Sequence, residues 1–186
     1  MIYLNFTTPD DKNKYNFVFD TYVLEKKLAS DSDVVEKCQY KLKYDYRYYI
    51  SDVQINEVLG RPVRKYKHED QPIWTPSKNI DKVQRVVDAL CIERISCVAA
   101  NLPNFTFLDG SFREYPDYSA SEPITAMLFE IHNKNLKHLM DAIIAEAAIY
   151  NKCYLVSTDI RAIGIVNKYF PDNAFHYDEF IDRFLT

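Results

Sequence analysis

Short runs of apolar and aromatic residues recur along the chain, and most of them are closely followed by a polar residue. The first, residues 15–20 (YNFVFD), predicts a buried strand that ends in an aspartate. The run at 153–156 (CYLV) predicts a second strand, which is followed by a serine, a threonine and an aspartate. Residues 104–108 (NFTFL) and 174–176 predict two shorter extended segments. Runs without polar alternation are typical of strands inside a parallel sheet.

Between these runs, apolar positions recur at helical spacing. The clearest helix covers residues 138–150 (HLMDAIIAEAAIY) and has Asp141 in its first turn. Ser51 followed by Gln54 is a capping-box pattern, which predicts a helix that carries Glu57 on its second turn and ends before a proline. Further helices are predicted after residue 21, within 31–48, and over 79–100, 121–132, 161–169 and 177–185.

Strands and helices therefore alternate along a chain of 186 residues. This alternation predicts an α/β fold, a three-layer α/β/α sandwich with a mainly parallel central sheet. The length suits a single domain over residues 1–186. Within it, residues 61–78 carry three prolines and mixed charge, which predicts a loop. The wider region at about 61–135 is interpreted as an enlarged helical insertion.

Composition narrows the classes of function. The chain has three glycines and no G-x-G-x-x-G or Walker-type loop, which argues against the common nucleotide cradles. A net charge of −4 excludes a broadly basic surface, so contact with nucleic acid has to come from a local patch. The four cysteines lack C-x-x-C spacing and the four histidines form no H-E-x-x-H motif, which favours reduced thiols in a cytoplasmic protein without zinc. We expect neither a membrane span nor a signal peptide.

Four acidic residues interrupt or abut otherwise apolar segments: Asp20, Glu57, Asp141 and Asp159. Buried carboxylates are costly unless they are paired with a cation. A shared Mg²⁺ or Mn²⁺, which prefers carboxylate oxygens, would account for all four at once. Each acid alone also has a structural explanation. Asp20 can be a turn former or a helix cap, and Asp159 can be a helix cap. Asp141 can be a first-turn acid that the helix dipole favours, and Glu57 can be a solvated residue on a helix face.

A carboxylate centre of this kind predicts hydrolytic chemistry. A divalent ion held there activates a water and offsets the charge that develops on a phosphodiester. Because packed carboxylates repel one another, at least one is expected to have a raised pKa until metal binds. Ser157 or Thr158 is expected to supply a hydroxyl that orients Asp159 or a bound water. Thr21 is expected to lie beside the ligands in the same supporting role.

Four segments resemble the motifs of PIN domains. Residues 17–28 (FVFDTYVLEKKL) are similar to the D-T-N-V-L opening of that family, and residues 50–59 (ISDVQINEVL) to its second motif, a serine six residues before a glutamate. Residues 140–149 (MDAIIAEAAI) resemble the D-A-L-I-A-A-T-A helix. Residues 154–163 (YLVSTDIRAI) resemble the L-V-T-x-D-x-x-F segment. The four segments occur in the family's order.

The resemblance implies a PIN-type sandwich with the four acids at the carboxyl ends of the strands, and Mg²⁺- or Mn²⁺-dependent endoribonuclease activity. Many small PIN proteins are virulence-associated toxins, which implies tRNA, rRNA or mRNA as substrate, an antitoxin protein as partner, and a homodimer. The chain departs from the motifs at Tyr22, where asparagine is usual, and at Ser157, where threonine is usual. The long stretch between Glu57 and Asp141 is a further departure from compact toxins.

One short segment is suited to contact RNA. The basic residues that follow the predicted Glu57 helix are Arg61, Arg64, Lys65 and Lys67. Tyr66 lies among them, as phosphate contact with base stacking would require. A solvated loop with one anchoring aromatic is the alternative. Arg161, close to Asp159, either contacts phosphate or pairs with an acid.

Two other functions compete with the ribonuclease. A PIN-like fold can serve as a catalytically weak RNA- or protein-binding module, which the long insertion and the acidic net charge favour. A flap-type DNA nuclease would use the same metal chemistry, but such enzymes usually carry more acids and a helical arch, neither of which is evident here. The sequence therefore favours the metal centre more strongly than it favours RNA as the substrate.

Overall fold

The computed structural model describes residues 15–58, 78–95, 97, 123–133 and 138–186. Within these ranges, five strands form one sheet in the order β3-β2-β1-β4-β5, and every neighbouring pair is parallel. The strands are β1 (Tyr15–Phe19), β2 (Tyr46–Ser51), β3 (Glu93–Ile95), β4 (Tyr154–Ser157) and β5 (Ala174–His176). The predicted strands before Asp20 and Asp159 are confirmed. The predicted loop at 61–78, the strand at 104–108 and most of the insertion at 61–135 lie outside the described residues.

Helices cover both faces of this sheet. They are α1 (Ser32–Lys41), α2 (Asp52–Val58), α3 (Ile80–Ala89), α4 (Pro123–His132), α5 (Leu139–Tyr150), α6 (Ile160–Tyr169) and α7 (Tyr177–Phe180), which continues as a π-helix (Ile181–Leu185). Short helical turns lie at Val23–Lys27, Leu28–Ser30 and Leu42–Tyr44. None of these described helices has the length and apolar character needed to cross a bilayer.

Strand alternation divides the core into two apolar clusters. Phe17 and Phe19 of β1 point to a cluster that also contains residues of α1, α3 and α7. Val18, between them, points to the other cluster, which contains residues of α2, α4, α5 and α6. Since each face of the sheet is covered by helices, the predicted three-layer α/β/α sandwich with a parallel sheet is confirmed.

The structure corrects two of the predicted helices. The pattern over 31–48 predicts one helix, but α1 ends at Lys41 and Asp45 adopts a left-handed conformation with φ 61°. Tyr46 then begins β2, because its aromatic run pairs with β1 and is buried. Likewise, the periodicity over 79–100 continues past the end of α3. Cys91 turns the chain with φ 50°, and β3 pairs with β2 beyond it.

The strand order reverses between β1 and β4. From β1 the chain moves to β2 and β3 on one side, whereas β4 and β5 lie on the other side. Connections that leave the carboxyl ends of two such strands diverge to opposite faces and leave a crevice between them. Asp20 directly follows β1, and Asp159 lies two residues after β4. The fold therefore brings two of the predicted acids to the same crevice.

A buried amide joins the carboxyl ends of β1 and β2. Gln54, fully buried in the first turn of α2, accepts a hydrogen bond at Oε1 from the Ser51 backbone N–H at 3.0 Å. The Gln54 N–H donates to the Ser51 hydroxyl at 3.4 Å, so the predicted capping box is present. The Gln54 side-chain Nε2 donates to the backbone carbonyl of Phe19. This amide fixes α2, and with it Glu57, relative to the end of β1.

Replacing Gln54 with leucine is expected to lower the free energy of unfolding by about 3 kcal/mol, because the Ser51 N–H and the Phe19 carbonyl lose their buried partner. Urea unfolding followed by circular dichroism measures the change. The matched control is Gln84→Leu on α3, where an exposed amide bonds to Asp88. The free energy of unfolding of this variant is expected to fall by less than about 0.5 kcal/mol. Equal losses in the two variants would show that Gln54 has no special role.

Candidate metal centre

Asp20 is held between β1 and β4 by its own backbone and carboxylate. Its N–H donates to the carbonyl of Val156 in β4 at 2.9 Å, which continues the sheet ladder by one residue. Its Oδ1 accepts the Val23 N–H at 2.7 Å and so caps the helical turn that follows. Its Oδ2 accepts the Ser157 hydroxyl and, at 3.3 Å, the Thr158 N–H. The carboxylate is therefore fixed in one orientation at the crevice.

Asp159 caps the next crossover helix. Its Oδ1 accepts the backbone N–H of Arg161 at 2.9 Å and of Ala162 at 3.1 Å, which is an N-cap arrangement for α6. Its own N–H donates to the hydroxyl oxygen of Ser157 at 3.0 Å. Since Ser157 also donates to Asp20, this one hydroxyl links the two acids.

Both cap interpretations are thus confirmed, and neither excludes a metal centre. A carboxylate offers about four acceptor positions. The three hydrogen bonds to Asp20 leave about one acceptor position, and the two to Asp159 leave about two, for a cation. The caps fix the direction in which those positions point.

Asp141 reaches the same region from α5. It lies in the first turn of that helix, as predicted, and its side chain is 43% exposed. The Nδ1 atom of His138 lies 3.6 Å from its Oδ2. Burial raises the pKa of Asp141, the negative charges of Asp159 and Asp20 raise it further, and the hydrogen bond with His138 opposes the shift. Potential ligand atoms of His138, Asp141 and Asp159 all lie within 4.8 Å of one another.

Glu57 lies beside these residues on the second turn of α2. Burial raises its pKa to about 7, and the charges of Asp141, Glu25 and Asp20 add to the effect. The Thr21 hydroxyl donates to Oε2 of Glu57 and opposes the shift. Glu57 is therefore a half-buried carboxyl whose pKa responds to the charges of two other acids of the predicted set.

Electrostatic interactions connect all four predicted acids. Burial raises the pKa of Asp20, and the charge of Asp159 adds to the effect, whereas hydrogen bonds from Ser157, Val23 and Thr158 lower it. Together with the raised pKa values of Asp141 and Glu57, this pattern is the one expected of packed carboxylates.

The donor set of carboxylate oxygens fits the preference of Mg²⁺ or Mn²⁺. A divalent ion there would offset the repulsion among the acids.

Two nearby residues were missed by sequence reasoning. His138 has a signal that could have found it, because residues three apart lie on one helical face and His138 precedes Asp141 by that spacing. Glu25 lies in the helical turn after β1, and only its charge effect on Glu57 connects it to the site. No motif in the sequence distinguishes it from the chain's other surface acids.

The supporting residues differ in detail from the predictions. The hydroxyl of Ser157 donates to Asp20 rather than to Asp159, because β4 lies beside β1 and places the two side chains together. Thr158 contributes its backbone N–H. The guanidinium of Arg161 donates to the carbonyl of Ile131 at the end of α4, and its two expected alternatives, contact with phosphate and pairing with an acid, stay predictions.

The other predicted RNA-contacting residues are Arg61, Arg64, Lys65 and Lys67, which lie outside the described part of the chain. Nothing in the described ranges bears on that basic patch. The case for the site therefore depends on the acids and on the residues that orient them.

Glu57 makes the stability of the folded chain depend on pH. Its pKa is about 7 in the folded state against an ordinary value of 4.5, so the folded chain binds this proton more tightly than the unfolded chain does. Stability is therefore expected to fall as pH rises through this range. Urea unfolding in EDTA at several pH values is expected to show a smaller fall for Glu57→Gln than for the wild-type chain. Parallel stability curves for the two chains would contradict the assigned shift.

No protein-family model, curated protein or solved structure matches this chain. The resemblance to PIN domains therefore stays an expectation that rests on the four motif-like segments. Parallel α/β sandwiches host many unrelated functions, so the fold alone does not assign one. A function has to be argued from the side chains at the crevice.

Proposed function

We propose that the crevice between β1 and β4 is the active site of a Mg²⁺- or Mn²⁺-dependent endoribonuclease. The observation that carries the proposal is the convergence of acids from separate segments at the point where the strand order reverses. Asp20 follows β1, Asp159 follows β4 and Asp141 opens α5. Crevices of this kind are where open parallel sheets bind their ligands.

Asp141 and Asp159 have oxygens within 4.8 Å of each other, whereas neither Asp20 nor Glu57 belongs to that close group among the described residues. Three aspartates would hold the ion: Asp20, which is linked to Asp159 through the Ser157 hydroxyl, Asp141 and Asp159. Each retains lone pairs beyond the hydrogen bonds described above, and their mutual repulsion favours a divalent cation as counter-charge. A bound ion of this type supplies an activated water and stabilises charge on a phosphodiester. Mg²⁺ and Mn²⁺ share the oxygen preference that this donor set requires.

Of the remaining groups, one orients a ligand carboxylate and one exchanges protons. The Ser157 hydroxyl keeps the Asp20 carboxylate from rotating. Glu57, with a pKa of about 7, is protonated in a large fraction of molecules at neutral pH in the absence of metal. The Thr21 hydroxyl donates to Oε2 and orients the carboxyl, which can release a proton to a leaving oxygen or accept one from a water. This assigns Glu57 the role of general acid or base.

RNA is proposed as the substrate because of the motif resemblance, and a toxin role with an antitoxin and a homodimer is a narrower proposal on the same basis. A small, partly disordered DNA-binding protein encoded beside this gene would favour the toxin role. A flap-type DNA nuclease would use the same acids, so each cleavage assay is run on RNA and on DNA of the same sequence.

Asp20→Asn and Asp159→Asn are each expected to lower metal-dependent RNA cleavage at least about 100-fold, because each removes a charged ligand while keeping the shape of the cap. Cleavage of a labelled RNA is measured with Mg²⁺, with Mn²⁺ and with EDTA. The matched control is Asp45→Asn. Asp45 is exposed and left-handed, a conformation that asparagine adopts readily, and it lies at the end of the turn Leu42–Tyr44.

Cleavage that persists in EDTA and in both variants would overturn the proposal. RNA or protein binding that survives loss of the acids and of metal, with no cleavage by the wild-type chain, would favour the binding-module alternative. Cleavage of DNA in preference to RNA would retain the metal centre and reject the ribonuclease.

A further inference from the structure

His138 lies at the entrance to α5, next to the proposed metal-binding acids. It offers a ring nitrogen within 4.8 Å of carboxylate oxygens of both Asp141 and Asp159. We propose that His138 is a direct nitrogen ligand of the divalent ion at this centre, and that it makes the site favour Mn²⁺ over Mg²⁺. This inference rests on the proposed function, because it concerns the same ion.

The geometry needs only small side-chain adjustments. One octahedral ion with bonds of about 2 Å separates its ligand atoms by about 3 to 4 Å. The 3.6 Å between Nδ1 of His138 and Oδ2 of Asp141 falls within that span. The upper limit of 4.8 Å for the set of three is slightly larger. His138 is 34% exposed and does not cap its own helix, so its ring is available to rotate towards an ion.

A second histidine–aspartate pair, His176 and Asp178, provides a comparison for His138 and Asp141. Nδ1 of His176 lies 3.4 Å from Oδ2 of Asp178, and the His176 side chain is 36% exposed, closely matching His138. That pair lies at the start of α7 and does not belong to any set of three potential ligands among the described residues. A structural role accounts for His176, because its Nδ1 also accepts the backbone N–H of Asp178 at 3.4 Å and so caps α7. His138 differs because Asp159, from another element, completes the set.

An imidazole ligand changes which ion the centre prefers. Mg²⁺ favours all-oxygen coordination, whereas imidazole nitrogen suits transition metals. A site built only from the aspartates would discriminate weakly between Mg²⁺ and Mn²⁺, since both accept carboxylate oxygens. Adding one nitrogen strengthens binding of Mn²⁺ relative to Mg²⁺. Metal selectivity is thus a direct consequence of the His138 contact.

The test uses the full chain, stripped of metal with EDTA and dialysed. Pulsed electron paramagnetic resonance of added Mn²⁺ detects a directly bonded ¹⁴N nucleus, and calorimetry gives the affinities for Mn²⁺ and Mg²⁺. The variants are His138→Gln and His138→Ala, with His176→Gln as matched control. Circular dichroism melts check folding, which is expected to persist because His138 is about one third exposed.

The expected result is a ¹⁴N signal in the wild-type chain and in His176→Gln, and none in either His138 variant. Affinity for Mn²⁺ should fall at least about tenfold in the His138 variants, with a much smaller change for Mg²⁺. Bound Mn²⁺ without a ¹⁴N signal, or a signal that survives in the His138 variants, would overturn the inference but leave the nuclease proposal standing. Absence of Mn²⁺ binding by the wild-type chain would overturn both. A histidine-dependent signal without RNA cleavage would support this inference and reject the nuclease alone.

Discussion

Strands β1 and β4 pair in parallel at the centre of the sheet, and the backbone N–H of Asp20 extends that pairing to Val156. The connections after these strands diverge to opposite faces of the sheet and leave a crevice at their carboxyl ends. Polar side chains at these strand ends hydrogen-bond to one another. Ser157 does this by donating to Asp20 while accepting the N–H of Asp159.

The same acids serve the fold and the site. An N-cap stabilises a helix by about 1 kcal/mol, and Asp20 and Asp159 each provide one. The cap also fixes the carboxylate, so its unused lone pairs point in a set direction before any ligand arrives. Both caps lie at the point where the strand order reverses. The cap interpretation and the metal interpretation of each acid are therefore complementary.

Bringing carboxyl groups together opposes folding. Burial is the largest cause of the raised pKa at Asp20, Glu57 and Asp141, and like charges add to it. The fold tolerates this arrangement because neighbouring groups donate hydrogen bonds, notably Thr21 to Glu57. The buried amide of Gln54 holds α2 against β1 and keeps Glu57 in place. A divalent ion would relieve the remaining repulsion, so metal binding and stability are expected to be linked.

The sequence by itself determined the local features. The helix of Asp141, the capping box that starts α2 and the acids at two strand ends could be predicted, because each depends on neighbours within one or two turns. Strands β2 and β3 could not be separated from helices, since periodicity does not distinguish a short apolar run in a strand from one in a helix. Pairing with β1 and β2 decides the conformation of each. The tertiary structure alone joined Ser157 to Asp20 across 137 residues and placed His138 beside Asp159. Such contacts follow from strand order, which a local pattern does not encode.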